Sequence, residues 1–221
     1  MSLETWDAPS RLYLARGDEV SSRRPLFTGD VIDGVAIPGV QVDGSALVLA
    51  HPCAMRRGAK LADGILVAAV RPHDAIAAEK WSNGFFDRMP LPELRGPTLP
   101  FEAARLAEIG LAEQSTLNVE KRVACLSPVG VNILQQRNVF HMTRLEVPTA
   151  RFWEAFGHTF EEADLLEEWT EELADVPSIG DPVQGFEDWI RAESRQERLT
   201  DPQQRASIRS EMRVELRAMQ A

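Results

Sequence analysis

Two groups of residues in the 221-residue chain have the types and spacing to do chemistry. His51-Pro52-Cys53 sets an imidazole and a thiol two positions apart, and on an extended segment residues two apart point to the same side. Such a pair could act as a histidine-activated thiol nucleophile, given a third group to orient the imidazole and a lowered thiol pKa. A zinc site would need two more ligands. Cys125, His73, His141 and His158 are the remaining soft candidates, and none stands at a short ligand spacing, so neither metal nor cofactor is expected. The competing reading, a small buried structural cysteine beside a hydrogen-bonded strand-end histidine, is preferred because an apolar strand leads directly into the motif.

The second group is Gln135, Gln136, Arg137, Asn138 and His141. On a helix Arg137, Asn138 and His141 share a face, at spacings of three and four. That face reads first as a solvated stripe. An anion or RNA-phosphate contact, joined by Arg144, is the alternative, and an acid/base role for His141 is a third. Arg56, Arg57 and Lys60 add a short basic run that could meet phosphate. No Walker loop, Gly-rich dinucleotide turn, Gly-x-Ser-x-Gly or His-Glu-x-x-His occurs, which removes the main support for the common nucleotide and hydrolase chemistries.

Positioning these groups requires elements, and the periodicity supplies them. Ala46–Ala50 and Ile65–Val70 are unbroken apolar runs too short for helices, each closed by a proline, and they suit central strands covered on both faces. Asp30–Ile37 and Val40–Val42 read as short strands parted by Gly34, Pro38 and Gly39. Leu117–Leu126 is a further strand candidate. It ends at Ser127-Pro128, an N-cap and first-turn proline that announce a helix to about Met142. From Trp81 to Pro100 four prolines and two glycines exclude any regular element, yet Trp81, Phe85, Phe86, Met89, Leu91 and Leu94 lie there. This is either a loop folded back over the core or a partner-binding segment.

Beyond Val147 the period turns helical. Thr159 and Glu162 suggest a capping box, with Ala163, Leu166, Trp169 and Leu173 on one face. Asp175–Gly185 reads as a linker, after which Phe186, Trp189 and Ile190 begin a second helix. Thr200 and Pro202 start a third, which presents Ile208, Met212, Leu216 and Met219. On this last helix Arg205, Arg209, Arg213 and Arg217 recur every four residues and need anionic partners; Glu161, Asp164, Glu168, Glu171 and Asp175 form an acidic stripe of similar length. Leu166, Trp169 and Leu173 are therefore expected against Ile208, Met212 and Leu216, with the stripes flanking the contact. An arginine surface for phosphate or for a partner protein is the rival, and two merely solvated stripes the third reading.

Charge follows the same division. Residues 1–160 carry 17 basic and 18 acidic side chains, and 161–221 carry 7 and 16, so nearly all of the net charge of -10 is C-terminal. A molecule this acidic repels nucleic acid unless one region is locally basic. With 44% hydrophobic and 26% charged residues the composition is that of an ordinary folded protein. Two cysteines, no charged-then-apolar leader and no apolar run near ~18 residues lead us to expect a cytoplasmic protein without signal peptide or membrane span.

Three segments, Gly29-Asp30-Val31-Ile32, Ala46-Leu47-Val48-Leu49-Ala50 and Ile65-Leu66-Val67-Ala68-Ala69-Val70, resemble in order the first strands of the PemK/MazF-like barrel, over roughly residues 25–75. In that family a Gly-Asp turn opens the first strand and two apolar strands follow. The resemblance implies a small SH3-like barrel and a metal-independent, toxin-type endoribonuclease acting on single-stranded RNA. Two features depart from it. Gly44-Ser45 stands where the family has Arg-Pro, and no threonine or serine after residue 75 aligns with the one that works with an arginine on phosphate, so no catalytic residue carries over.

The expected fold is α+β: an N-terminal arm over 1–24, a small SH3/PemK-like β-barrel over 25–150 containing the Pro-rich loop 81–100, and an acidic helical subdomain over 151–221. The leading functional expectation is a non-catalytic binding or adaptor protein of a bacterial cytoplasmic system. It would grip a protein partner through Trp81, Phe85, Phe86, Arg209 and Arg213. The ribonuclease is the alternative, with Arg56, Arg57, Lys60, Arg137 and Arg144 on phosphate. A Cys/His enzyme using His51, Cys53 or His141 is third. RNA and a second copy of the chain are the other partners weighed.

Overall fold

The computed structural model describes residues 2–176 and 180–220. Its strands are β1 (Tyr13–Arg16), β2 (Asp30–Ile32), β3 (Ala46–Val48), β4 (Arg56–Arg57), β5 (Lys60–Leu61), β6 (Gly64–Pro72), β7 (Arg88–Leu91), β8 (Glu102–Glu113) and β9 (Arg122–Leu126). The helices are α1 (Pro52–Met55), α2 (Ala78–Trp81), α3 (Pro128–Thr143), α4 (Thr149–Glu172), α5 (Pro182–Arg191), α6 (Arg195–Arg198) and α7 (Arg205–Gln220). The fold is α+β, with 44% of residues helical, 21% in strands and a helical C-terminal region. Among the described residues no helix is long and apolar enough to cross a membrane.

The chain forms two compact units. One holds Met1–Ser22, Leu26–Met55 and Ala62–Glu154; the other holds Arg23–Pro25, Arg56–Leu61 and Ala155–Ala221.

In the first unit seven strands make a curled antiparallel half-barrel in the order β1-β9-β2-β3-β6-β8-β7. Both apolar runs lie at its centre. Leu47 of β3 pairs with Val31 of β2 on one side and with Ala68 of β6 on the other, and Ala46, Leu47 and Val48 are fully buried. Two covered faces explain why the run is apolar throughout and does not alternate. A buried ion pair ties β2 to β9: Arg122 Nη1 lies 3.0 Å from Asp30 Oδ2, the side chains being 0% and 2% exposed. Asp30 Oδ2 also accepts the Phe27 N–H at 2.8 Å.

After β9, Ser127 accepts the Gly130 N–H at 3.1 Å and Pro128 opens α3, as the capping pattern predicts. A Cβ at Gly130 would stand 2.2 Å from the Leu12 carbonyl oxygen, so only glycine lets this helix approach the N-terminal segment so closely.

Several expectations need correction here. Only Arg122–Leu126 of the candidate Leu117–Leu126 is strand, because the Asn118 side chain caps a 3-10 turn over Val119–Lys121. The Pro-rich segment does contain a strand, β7, with Pro90 inside it. β7 is the sheet's last strand, where an absent N–H leaves no ladder bond unmade. Most of Asp30–Ile37 is likewise not strand: it continues past β2 as a turn closed by a single Ile37–Gln41 bridge.

In the second unit Leu165, Leu166, Trp169, Leu173, Phe186, Trp189, Ile190, Leu199, Ile208, Met212 and Leu216 form one buried cluster. This is the expected packing of the α4 face on the α7 face. The Thr159 capping box is not there: α4 runs unbroken through it, and the Thr159 hydroxyl donates back to the Phe156 carbonyl at 2.8 Å. α5 starts at Pro182, capped by Asp181, so its first turn uses residues expected in the linker. Pro177, in the same segment, lies outside the described residues. Arg24, from the short N-terminal piece of this unit, is buried and reaches Asp164 and Glu167, each at 2.7 Å. Burial alone would lower its pKa, but hydrogen bonds and charge from the two carboxylates outweigh it and hold the guanidinium charged.

Candidate functional site

The His51–Cys53 pair does not keep extended geometry. Pro52 starts α1 at once, and Ala54 and Met55 both return their N–H groups to the His51 carbonyl. His51 Nδ1 accepts the backbone N–H of Cys53 at 3.2 Å, so the imidazole serves as a local cap. Cys53 is exposed, which corrects the expectation of a buried structural thiol. The buried thiol is that of Cys125, which burial pushes up to about 12, with further upward pressure from Asp30. At neutral pH Cys125 is protonated and unfit for nucleophilic attack.

The polar group on α3 is also not a solvated stripe. Arg137 is completely buried, and its guanidinium donates to four carbonyls of the connection from the end of α2 to the start of β7: Arg88 at 2.6 Å, Trp81 at 3.0 Å, Gly84 at 3.2 Å and Phe85 at 2.8 Å. A planar fork of N–H donors suits this task, since an irregular loop leaves its carbonyls without ladder partners. Burial lowers the Arg137 pKa to about 10, partly opposed by Asp87, and the side chain stays cationic at neutral pH. Its donors are committed to the loop, so it is withdrawn from phosphate binding. Asn138 and His141 are half-buried, with Asn138 Oδ1 and His141 Nδ1 unpartnered. Arg144 caps the helix in the left-handed region at φ 62 and sets its guanidinium 5.7 Å from the Phe140 ring.

The loop that Arg137 pins is the most organised polar and aromatic assembly of the first unit. Trp81 is buried and stacks on Phe101, ring centres 5.9 Å apart and planes 15° from parallel. Phe85 lies 5.1 Å from Trp81, and the His73 ring stands 5.5 Å from Trp81 and 5.9 Å from Phe85. His73 Nδ1 meets the Asp74 carbonyl at 2.7 Å, while its Nε2 meets Arg88 Nη1. Arg88 also sits 5.7 Å over the Phe85 ring. Phe85 holds a left-handed backbone, φ 54, and is 37% exposed, while Phe86 turns inward onto Phe140 at 4.7 Å. Thus Trp81, Met89, Leu91 and Leu94 follow the folded-back reading, and Phe85 is the one loop aromatic with a substantial part of its surface exposed.

The remaining candidates lie in the second unit. Arg56, Arg57 and Lys60 form the small β4–β5 ribbon, where Arg57 and Lys60 are exposed and Arg56, half-buried, acts electrostatically on Glu187. The five phosphate candidates are therefore divided between the units. Arg209 joins Glu168 at 2.7 Å and Glu161 at 3.2 Å, and Arg213 joins Glu168 at 2.6 Å. Two of the four stripe arginines, Arg209 and Arg213, thus find acid on α4, which competes with a role in gripping a partner, while Arg205 donates to the Leu199 carbonyl at 3.1 Å.

Sequence reading missed His73, Arg88 and Phe101 as members of the aromatic assembly. It also missed Arg95, which donates to Asp33 at 2.7 and 2.9 Å and to Ser45 at 2.8 Å. Hydrogen bonds from Arg95, then Ser45, hold the Asp33 carboxyl below the usual carboxylate range against the opposing effect of burial. Nothing local to Arg137 or to Arg95 signals their partners, which lie about fifty to sixty residues away in the chain. No protein-family model matches the chain, and no curated protein matches it.

Proposed function

We propose that this chain is a non-catalytic binding module that docks a protein partner on the Arg137-pinned loop, with Phe85 as the projecting anchor. The observation that carries this reading is the Phe85 backbone. A bulky residue in the left-handed region is strained, and such strain persists only where the surroundings impose it. Arg137 imposes it through hydrogen bonds on both sides of the turn, to Trp81, Gly84, Phe85 and Arg88. The result is an ordered aromatic side chain beside a cation, Arg88, at low entropic cost on docking, as in binding hot spots. The setting we assign is the bacterial cytoplasm, in keeping with two cysteines that form no disulfide.

The test replaces Phe85 with a photoreactive phenylalanine analogue in the native host. A single discrete protein adduct, lost when Arg137 is changed to Met, is expected. Adducts with many proteins, or none, would remove the reading.

The second reading, a PemK/MazF-like ribonuclease, draws support from one observation. The three resembling segments fall on β2, β3 and β6, which are consecutive neighbours in the sheet. It requires cleavage of single-stranded RNA that disappears in the Arg56→Ala/Arg57→Ala variant; a binding module gives no turnover in either protein.

A further inference from the structure

Away from the pinned loop, within the same unit, lies a cavity of about 350 Å3 between the N-terminal segment and the starts of α3 and α4. Glu4, Trp6, Asp7, Asn132, Ile133 and Trp153 contribute to its lining. Its volume falls in the range of small-ligand sites, and its walls join indole rings to a few polar groups.

Three features specify the chemistry of an occupant. The first is charge. The lining carries two carboxylates, Glu4 and Asp7, against one guanidinium, Arg11, and Arg11 is already engaged by Asp7 at 2.6 Å. Glu4 accepts from neutral donors, the Thr149 N–H at 2.9 Å, the Thr149 hydroxyl at 2.5 Å and Gln136 Nε2 at 3.5 Å. Among the described residues it has no ion pair. The second is an unmet acceptor. Asn132 is only 4% exposed, it lines the cavity, and its Oδ1 has no hydrogen-bond partner. A buried acceptor without a donor is costly enough that folded proteins rarely leave one. The third is Trp153, a large apolar side chain left 52% exposed on the rim, whose ring face attracts cations and covers methylene groups. Excess negative charge, an orphan acceptor and indole faces together call for a cation that brings its own N–H donors on an apolar stem.

We propose that this cavity binds an organic cation, a primary ammonium group on an aliphatic chain. The ammonium donates to Asn132 Oδ1, brought round by the soft χ2 torsion, and to the carboxylates, while the stem lies along Trp153, Trp6 and Ile133. A free alkylamine and the lysine side chain of a polypeptide share this chemistry. The site stands apart from the Phe85 surface, and either reading can fail without the other.

The test follows indole N–H resonances of the full chain by NMR, with Trp153 assigned through Trp153→Phe. Hexylammonium chloride or acetyl-Gly-Lys-Gly-amide is expected to shift the Trp153 signal saturably, with hexanol and hexanoate weaker by about tenfold or more, as loss of one charged hydrogen bond implies. Asp7→Asn, at an exposed position that the fold does not need, should weaken the amine by about three- to tenfold, and Asn132→Leu by a similar factor. Tighter binding of the peptide assigns a polypeptide lysine as the source, and tighter binding of hexylammonium assigns a free amine. Absence of saturation by both amines at tens of millimolar, equal binding of hexanoate, or an Asp7→Asn variant that binds as the wild type would overturn the site. Should Asn132→Leu not fold, Asp7→Asn with the hexanoate control decides alone.

Discussion

The two units use the same residue, arginine, in opposite ways. In the sheet unit two arginines are buried, Arg122 against the Asp30 carboxylate and Arg137 against four loop carbonyls. In the helical unit the arginines meet carboxylates: Arg24, buried, meets Asp164 and Glu167, and nearer to water Arg195 and Arg198 meet Glu211 while Arg209 and Arg213 meet Glu168. The difference follows from the backbone. Helices satisfy their own N–H and C=O groups, so their arginines are left to answer acidic side chains near water. A curled sheet with a Pro-rich connection leaves carbonyls unpaired inside, and a guanidinium is the side chain best able to collect them. Removing Arg137 should therefore be severe and insensitive to salt, and removing a partly exposed arginine of α7 mild and salt-dependent.

The largest effect is expected from Arg137→Met. It strands several buried carbonyls at once, and the cost should be about 3 to 5 kcal/mol of stability in urea unfolding, together with loss of the Phe85 conformation. Arg137→Lys should recover less than half, because an ammonium cannot span four carbonyls of a fixed loop. A loss below about 1 kcal/mol would mean that the loop relaxes into water and that the arginine does not order it.

Next comes the apolar core of the helical unit. Met212 is fully buried in the cluster with Trp169, Ile208 and Leu216, and Met212→Ala should cost about 2 to 4 kcal/mol. The loss should be the same at low and high salt. A strong salt dependence would show that the ion pairs, and not the cluster, hold these helices together.

How much of this could be read from the residues depended on whether the signal was local. The apolar runs of β3 and β6 and the Ser127-Pro128 cap of α3 each declare themselves within a few residues, and all are present; the pairing of α4 with α7 spans more than forty residues and was legible because each helix carries its own apolar face and charged stripe. β8 did not: Glu-Ala-Ala-Arg-Leu-Ala-Glu is made of strong helix formers, and only pairing with β6 and β7 turns it into the longest strand. Arg137 was visible as a basic residue but not as a buried one, since its partners lie some fifty residues earlier in the chain. The turn at His51 is hidden because a proline after an apolar run signals the end of a strand as readily as the first turn of a helix, which is what Pro52 begins. The Asn132 cavity is assembled from three separate segments, so no window of sequence contains it.

Titration sharpens the comparison with smaller effects of opposite sign. Asp33, in the sheet unit, is held below the carboxylate range by Arg95. Its contribution is present above the unfolded pKa of about 4 and is lost as pH falls through the folded value. Asp33→Asn should therefore flatten the acid limb of the stability curve. Glu187, in the helical unit, is raised by burial, with Arg191 opposing. A raised acid binds its proton more readily when folded, so stability rises as pH falls through its folded pKa, and the ionised form is costly at neutral pH. Glu187→Gln should leave stability unchanged or slightly increased at pH 7, by less than about 1 kcal/mol. Destabilisation by Glu187→Gln would show that the Arg191 pair at 2.9 Å outweighs burial.

The smallest effect, and the sharpest division between the units, is the coupling of Arg209 to Glu168. Arg209 Nη1 lies 2.7 Å from Glu168 Oε2, and both side chains are partly exposed, so water and ions compete for the contact. Glu168 also receives Arg213, and Arg209 also reaches Glu161, so neither charge is stranded when one partner goes. Single changes, Arg209→Gln or Glu168→Gln, should therefore each cost under about 1 kcal/mol. The informative quantity is the coupling in the double-mutant cycle, expected at about 0.5 kcal/mol in low salt. At ~1 M salt the screening length falls to about 3 Å, close to the separation of the pair, and the coupling should fade while the Met212→Ala cost stays. Fading would assign the stripes the alignment of α4 on α7, with burial supplying the stability. A coupling that persists undiminished in high salt would place this pair with Arg122 and Arg137, and the contrast between the units would then reflect depth of burial alone.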